Sequence, residues 1–529
     1  MRDQNVSVAA QEPPGNFYSF RQKLGMVLGP FLFLIAALAL TSFGLQFKAA
    51  CAGATVALMA CWWITEPIPL WTTALLPLLL FPVTGAAPFH EVALQYFDPI
   101  NFLFLGGMCI AASMQQWGLH RRIALGIVSR IGTSPRRIVL GFMLATGFIT
   151  LWISNTAAAM MMFPIGMAVL TKFEEQCGRD DPLLQRFGLA LMLGIAYAAS
   201  IGGIGTKIGT GTNLVFVKQA ALVSAKDIDF LTWLKMGLPV VVIALPLVWL
   251  YLVRIAAPLP ATEFPGGRKA IEAARSSQGR MGFGEGAALI GFLSAAVLWI
   301  FRKDIDLGSV KITGWWNIIP WSWADLLGRP LNSLPQPLPR LLADVGDGVV
   351  AIVVGVGLLL VPVQRRPLRF ALDICNASRI SWGLLALLGG GFAMAYGIER
   401  SGLSGSIAGL LKETGRLDPF AATIMVCFIS VALTEVASNV ATASILLPLL
   451  AASADSFGLQ PLPLMFAATL AASFGFMLPA GTPPNAVVFS SGYITVPQMA
   501  RSGLIVDLAG GLLVAVVCYY ITPLVLGMR

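Results

Sequence analysis

A chain of 529 residues that is 57% hydrophobic and only 12% charged lies far below the roughly one-quarter charged content of soluble domains, which excludes an ordinary soluble enzyme and describes an all-α polytopic membrane protein. Its net charge of +9 does not describe a nucleic-acid surface. The basic residues sit in short connections, His120-Arg121-Arg122, Arg136-Arg137, Arg302-Lys303 and Arg365-Arg366, as positive-inside orientation requires.

In chain order, the first residues are polar and lack the basic head and short apolar core of a cleaved signal, so the first crossing is expected to be a retained helix. Apolar runs that suit bilayer crossings occupy residues 25–45, 49–63, 70–83, 236–253, 286–301, 348–363 and 505–525. Others are interrupted by Gly, Ser, Asn or Pro. Residues 258–347, the most polar stretch, carry one crossing and a Trp-rich piece, GWWNIIPWSW, whose indoles suit an interface. The seven cysteines are scattered and read as packing residues. Neither His90 nor His120 has a nearby Cys or second His, which argues against a transition-metal site.

The interrupted segments come in two copies. At a constant separation of 284 residues, Gly106 matches Gly390, Gly107 matches Gly391, Gly118 matches Gly402, Thr150 matches Thr434, Ser154 matches Ser438, Asn155 matches Asn439 and Pro164 matches Pro448. Farther on, Asn213 matches Asn485 at a separation of 272, and the shortfall of twelve is attributed to the longer polar connection at residues 172–186. Each copy thus holds a Gly-rich apolar segment, a crossing broken at Ser-Asn, and a crossing broken at a Gly/Thr/Pro-Asn stretch.

In lipid a helix breaks only where protein or a water-filled cavity replaces the lost backbone partners. Paired interrupted segments in corresponding halves mark a transporter's central site. A broken helix offers carbonyls at one end and amides at the next, oxygens for a cation and dipole ends for an anion. Thr150 lies one turn before Ser154, as Thr434 does before Ser438, so hydroxyls, Asn carbonyls and freed carbonyls make an oxygen-only set suited to Na⁺. Asn155, Thr156, Asn439, Thr210 and Thr482 can donate to a carboxylate. No arginine lies within either Ser-Asn stretch, so an anion there depends on dipoles, amides and co-bound cations.

Several motifs carry a family resemblance: WWITEPIPLWTTALLP, LFLGGMCIA, Ser154-Asn155-Thr156, the GTxTN-like stretch at residues 209–213, LLGGGFAMA, Ser438-Asn439-Val440 and FMLPAGTPPNAVVF. In order and spacing the chain resembles the divalent anion/sodium symporters, the carriers of dicarboxylates, citrate and sulfate. The resemblance implies an inverted-repeat, elevator-type carrier with about eleven transmembrane helices, two re-entrant hairpins near residues 102–117 and 385–399, and a homodimer in the lipid bilayer of the bacterial plasma membrane. It further implies one Na⁺ near Thr150, Ser154, Asn155 and Gly209, and a second near Thr434, Ala437, Asn439 and Gly481. Substrate carboxylates would meet Asn155, Thr156, Asn439, Val440, Thr482 and Pro483, to which the reading of the residues themselves adds Thr210. No organic cofactor is implied.

On this plan the chain divides into an N-terminal cytoplasmic tail (1–23), scaffold helices (24–99), the first transport repeat (100–220), scaffold helices with the polar linker (221–381), the second transport repeat (382–495) and a C-terminal scaffold helix (496–529). Small C4-dicarboxylates such as succinate, malate or fumarate are the expected substrates, with citrate and sulfate as alternatives.

Two departures from the family pattern bear on this. Val440 stands where a second Thr would complete another Ser-Asn-Thr. Lys207 places an ammonium beside the first expected cation site. Two readings of Lys207 stand: it snorkels to an aqueous face, or its charge replaces a Na⁺ and makes the carrier a Na⁺-independent exchanger. Glu66 reads as interfacial, and Glu435 either contacts the site or pairs nearby. A membrane-embedded enzyme lacks a nucleophile with its base, while a channel would not show saturable counterflow.

Overall fold

The protein is described by a computed structural model over residues 18–132, 134–178, 180–224, 228–261, 276, 278–306, 311–315, 345–378, 380–411, 418–479 and 481–527. The tail before residue 18 and most of the polar linker, with its Trp-rich piece beyond Trp315, lie outside the described residues.

The helices are α1 (Phe20–Ser42), α2 (Phe47–Thr65), α3 (Leu70–Thr73), α4 (Leu76–Thr84), α5 (Phe89–Tyr96), α6 (Pro99–Gln116), α7 (Leu119–Ile131), α8 (Pro135–Thr150), α9 (Asn155–Cys177), α10 (Pro182–Gly203), α11 (Gly211–Ser224), α12 (Phe230–Tyr251), α13 (Phe283–Ile300), α14 (Asp347–Leu360), α15 (Ile374–Ala377), α16 (Trp382–Arg400), α17 (Leu403–Leu411), α18 (Pro419–Thr434), α19 (Asn439–Ser453), α20 (Pro461–Ala471), α21 (Pro483–Phe489) and α22 (Val496–Val525). Two antiparallel ribbons, β1 (Ile305–Asp306) with β2 (Lys311–Ile312) and β3 (Pro362–Arg365) with β4 (Leu368–Phe370), decorate connections. Among the described residues ten helices are long and apolar enough to cross a bilayer, and four shorter apolar ones accompany them.

The duplication is written into the helix boundaries. Helices α8 and α18 each run 16 residues, from Pro135 and Pro419, and each starts from a side-chain cap: Ser134 accepts the Arg137 N–H, and Asp418 accepts the Ala421 N–H. A proline at the first helical position loses a donor that had no partner there anyway, and the preceding side chain satisfies another. The twelve-residue difference, expected in the connection at residues 172–186, lies instead in the helices: α9 and α10 span 23 and 22 residues, against 15 and 11 for α19 and α20, an excess partly offset by shorter segments between them in the first copy.

Helix α10 is apolar on every side and lies buried among α8, α9, α12 and α21, the expected place for such a helix. Helix α1 is the opposite case. It packs on α2 and turns Phe31, Leu34, Ile35 and Leu38 outward, a charge-free surface fit for lipid.

One expectation is corrected. Residues 102–117 and 385–399 are not hairpins; each lies within one unbroken helix, α6 or α16, as far as the capping residue Trp117. Their glycines serve close packing. A Cβ on Gly106 would lie 2.4 Å from the backbone carbon of Ala351 in α14, and one on Gly390 would lie 2.2 Å from the Ala74 carbonyl. Small residues bring membrane helices together in this way, and the chain turns instead at the two Ser-Asn stretches.

Candidate functional site

Helix α8 stops at Thr150, the chain turns, and Ser154 (φ −56°, ψ 146°) caps α9 at Asn155. In the second copy α18 stops at Thr434, and Ser438 (φ −65°, ψ 149°) caps α19 at Asn439. Ser438 Oγ accepts the Ala441 N–H at 3.3 Å, whereas Ser154 forms no such cap bond. Behind each tip lies a second break, between α10 and α11 (residues 204–210) and between α20 and α21 (residues 472–482).

Matched asparagines brace these breaks. Asn213 Nδ2 donates to the carbonyls of Gly203 (2.9 Å) and Thr206 (2.7 Å), and Asn485 Nδ2 donates to those of Gly475 (3.1 Å) and Leu478 (3.0 Å). The acceptors stand at identical offsets in the two copies. Carbonyls at an interrupted helix end have lost their intrahelical donors, and each side-chain amide stands in for two of them.

Oxygen atoms gather where tip meets break. A Cβ on Gly203 would lie 2.3 Å from Asn155 Oδ1, and one on Gly209 would lie 2.4 Å from the Gly203 carbonyl and 2.8 Å from that of Thr150. Asn155 Oδ1 thus lies against Gly203, and the Gly203 and Thr150 carbonyls lie against Gly209, where only a residue without a side chain leaves room. Asn155 Oδ1 is buried and accepts no hydrogen bond among the described residues. The Thr150 hydroxyl is engaged with the Thr146 and Gly147 carbonyls of its own helix. In the second copy Thr434 Oγ1 stands 2.9 Å from Asn439 Oδ1 and 2.7 Å from the Ala472 carbonyl, so three oxygens share one hydroxyl proton. Gly481 faces the Leu478 carbonyl and Glu435, and Ala437 is buried. Neutral oxygen donors of this kind suit a hard cation.

A cavity of about 370 Å³ opens beside the first tip, bordered by Trp152, Ser154, Thr156 and Met160, by Met108, Gln115 and Gln116 of α6, and by Ile208, Asn376 and Ser381. Among the described residues none that lines it is charged. Asn155, Thr210, Asn439, Val440, Thr482 and Pro483 do not border it. Val440 packs instead over Gly211, where a Cβ would lie 3.1 Å from its Cγ2, which sets the second tip beside Thr210 of the first copy. Thr210 and Thr482 are buried, and Pro483 is exposed.

The structure thus brings together Thr150, Asn155 and Gly209, and separately Thr434 and Asn439, while of the expected substrate residues Thr156 alone borders the cavity among the described residues. The Gly203 and Ala472 carbonyls, and the cavity wall of Gln116 and Asn376, escaped the sequence reading. The shared offset between each matched asparagine and a glycine ten residues earlier was the available signal for Gly203.

Lys207 does not snorkel. It is buried, and its ammonium lies 2.9 Å from Asp347 Oδ2, while Arg302 Nε lies 2.9 Å from Asp347 Oδ1. Glu435 accepts the N–H groups of Met477 (2.9 Å) and Leu478 (3.2 Å) and so pairs within its own copy. Glu66 ends α2 in the left-handed region, its carbonyl accepting from Gln22.

A many-spanned helical protein whose duplicated breaks collect oxygen atoms in the membrane is a transporter. More narrowly, the chain belongs to the sodium:sulfate symporter family, whose transmembrane region matches residues 22–526. It is 37% identical over 530 residues to the sodium-dependent dicarboxylate transporter SdcS of Staphylococcus saprophyticus, covering 100% of this chain and 96% of that one. The Staphylococcus aureus SdcS is 36% identical over 514 residues, covering 97% and 93%. Among solved structures, Neisseria gonorrhoeae MtrF shares the fold at a TM-score of 0.52 and 15% identity over 96% of both chains.

Proposed function

We propose that the protein carries C4-dicarboxylates such as succinate, malate or fumarate across the plasma membrane by Na⁺ symport. The observation that carries this reading is the pair of oxygen clusters, Thr150–Asn155–Gly203 and Thr434–Asn439–Ala472, the first of them next to a cavity with no charged residue among its described walls. With no Lys or Arg among the described residues of the cavity wall, an anion there draws on compensating charge. Two bound Na⁺ ions would supply it, which ties anion binding to cation binding. The first N–H groups of α9 and α19, at the positive ends of their helices, would receive the carboxylates, with the side chains of Asn155, Thr156, Thr210 and Asn439 donating and Val440, Thr482 and Pro483 shaping the second half. Ser154, Gly209, Ala437 and Gly481 would complete the two Na⁺ shells.

The dicarboxylate names of the staphylococcal relatives support the substrate class. The Lys207–Asp347 contact favours symport over the Na⁺-independent exchanger, since an ammonium held at 2.9 Å by a buried carboxylate is not free to move into a cation site. Inverted repeats moving as an elevator against a scaffold of residues 24–99, 221–381 and 496–529, in a homodimer, complete the reading.

The test is uptake of labelled succinate into proteoliposomes with and without an inward Na⁺ gradient. Symport requires accumulation that collapses without Na⁺. Uptake that ignores Na⁺ and depends on internal dicarboxylate would leave an exchanger, and uptake of sulfate or citrate in preference to succinate would move the substrate class.

A further inference from the structure

The two breaks behind the tips are secured differently. In the second copy Glu435, on the tip itself, holds the Met477 and Leu478 amides. The matching tip position in the first copy is Leu151, which has no side-chain acceptor; only its backbone carbonyl takes part, accepting the Thr206 hydroxyl. The same alignment sets Lys207 opposite Pro479. The second break is thus held by carboxylates that reach it from outside, Glu435 and also Asp507 of α22, which accepts the Phe476 N–H at 3.4 Å, whereas the first carries its own charged side chain, which leads away from the tip to Asp347 in the first turn of α14.

Asp347 is a firm anchor. Its carboxylate also meets Arg302 Nε at 2.9 Å and accepts the Phe230 N–H at 3.1 Å, and its carbonyl accepts from Trp299 Nε1 at 3.0 Å. Helix α14 is itself locked to α6 at Gly106 and Ala351. Lys207, Arg302 and Asp347 are each only 4% exposed. Separating one of these charges from the group would strand it in a dry interior, which is far costlier than losing a surface pair. The course of residues 204–210 is thereby tied to α14.

We propose that Lys207 is a positioning residue for the first cation site. Acting through Asp347, it holds the break so that Gly209 stays against the Thr150 and Gly203 carbonyls, and these with Asn155 Oδ1 keep the spacing a Na⁺ needs. Lys207 neither touches the ion nor substitutes for it. This rests on reading those oxygens as a cation site. Groups behind a ligand shell act by fixing its orientation, and their loss lowers metal affinity by about 10- to 100-fold.

Lys207→Met is the first test, because it leaves the neutral Arg302–Asp347 pair and nearly the same side-chain length. Asp347→Glu is the second; it keeps every charge and displaces the tether by one methylene. Lys207→Arg is the conservative control. On the purified full-length protein without dicarboxylate, the rise in melting temperature is titrated with NaCl at constant total salt made up with KCl, and uptake is followed at saturating Na⁺.

The half-saturating Na⁺ concentration should rise about tenfold or more in Lys207→Met, rise in the same direction in Asp347→Glu, and stay near wild type in Lys207→Arg, with maximal uptake per folded protein preserved. A purely structural role would reduce folded protein without moving the Na⁺ midpoint. An unchanged midpoint in both variants overturns the proposal, as does a lowered one, which would make the ammonium a competitor of Na⁺. If the wild-type protein itself shows no Na⁺ response, the cation-site reading falls and takes this proposal with it; a wild-type response with unmoved variants removes the positioning role alone.

Discussion

Asn155 and Asn213 show what a single side chain does here and why only part of it was legible. Asn155 Oδ1 has no protein donor among the described residues, so truncating it removes an oxygen from the cluster without leaving any of their donors unpaired. Asn155→Ala is expected to abolish Na⁺-driven succinate uptake while the protein still inserts and elutes as a single species. Asn439→Ala should do the same, and normal uptake by either variant would remove the central-site assignment. Asn213 and Asn485 behave differently, because each amide satisfies two buried carbonyls. Unsatisfied buried groups cost about 1–3 kcal/mol each, so Asn213→Ala and Asn485→Ala should lower the melting temperature by several degrees even without ligand. Melting at the wild-type temperature would mean that water already serves those carbonyls. The sequence marked all four asparagines through their matched spacing. It could not show which would donate and which would present a bare oxygen, since Gly203 reaches Asn155 only through the packing of α10 against α8 and α9.

At the scale of elements, helix boundaries followed from proline and cap residues, as at Ser134-Pro135 and Asp418-Pro419, and from the Ser-Asn stops. The hairpins that the family resemblance implies near residues 102–117 and 385–399 fall on unbroken helices, in which Gly106 and Gly390 are packing contacts. Glycine weakens an exposed helix, but inside a membrane the same residue lets two backbones touch, and the sequence does not name the partner. The distinction is measurable. A side chain at Gly106 meets the backbone of Ala351, whereas one at Gly357, elsewhere on α14, meets nothing within 4 Å. Gly106→Val should therefore destabilise the folded protein by about 1–3 kcal/mol or more, the usual cost of overpacking, and Gly357→Ala should melt like wild type. Equal melting of the two variants would show that α6 and α14 can separate without penalty.

At the scale of the whole molecule the two copies share a plan but not an environment. Thr156 borders the cavity, while its second-copy counterpart Val440 packs over Gly211 and Thr482 is 2% exposed. A carrier whose halves exchange roles between two faces of the membrane should show this asymmetry in any one conformation. Thiol labelling reads it directly, provided Cys177 and Cys375, the exposed native cysteines, are first replaced by serine. Thr156→Cys should then react with a small impermeant reagent from the cavity side and be shielded by succinate together with Na⁺, but not by either alone. Thr482→Cys should resist the reagent from that side and react from the other once substrate and Na⁺ drive turnover. Equal labelling of both positions from one side, at one rate, would mean that the two tips share a single vestibule, and the duplicated breaks would then describe a pore rather than a carrier.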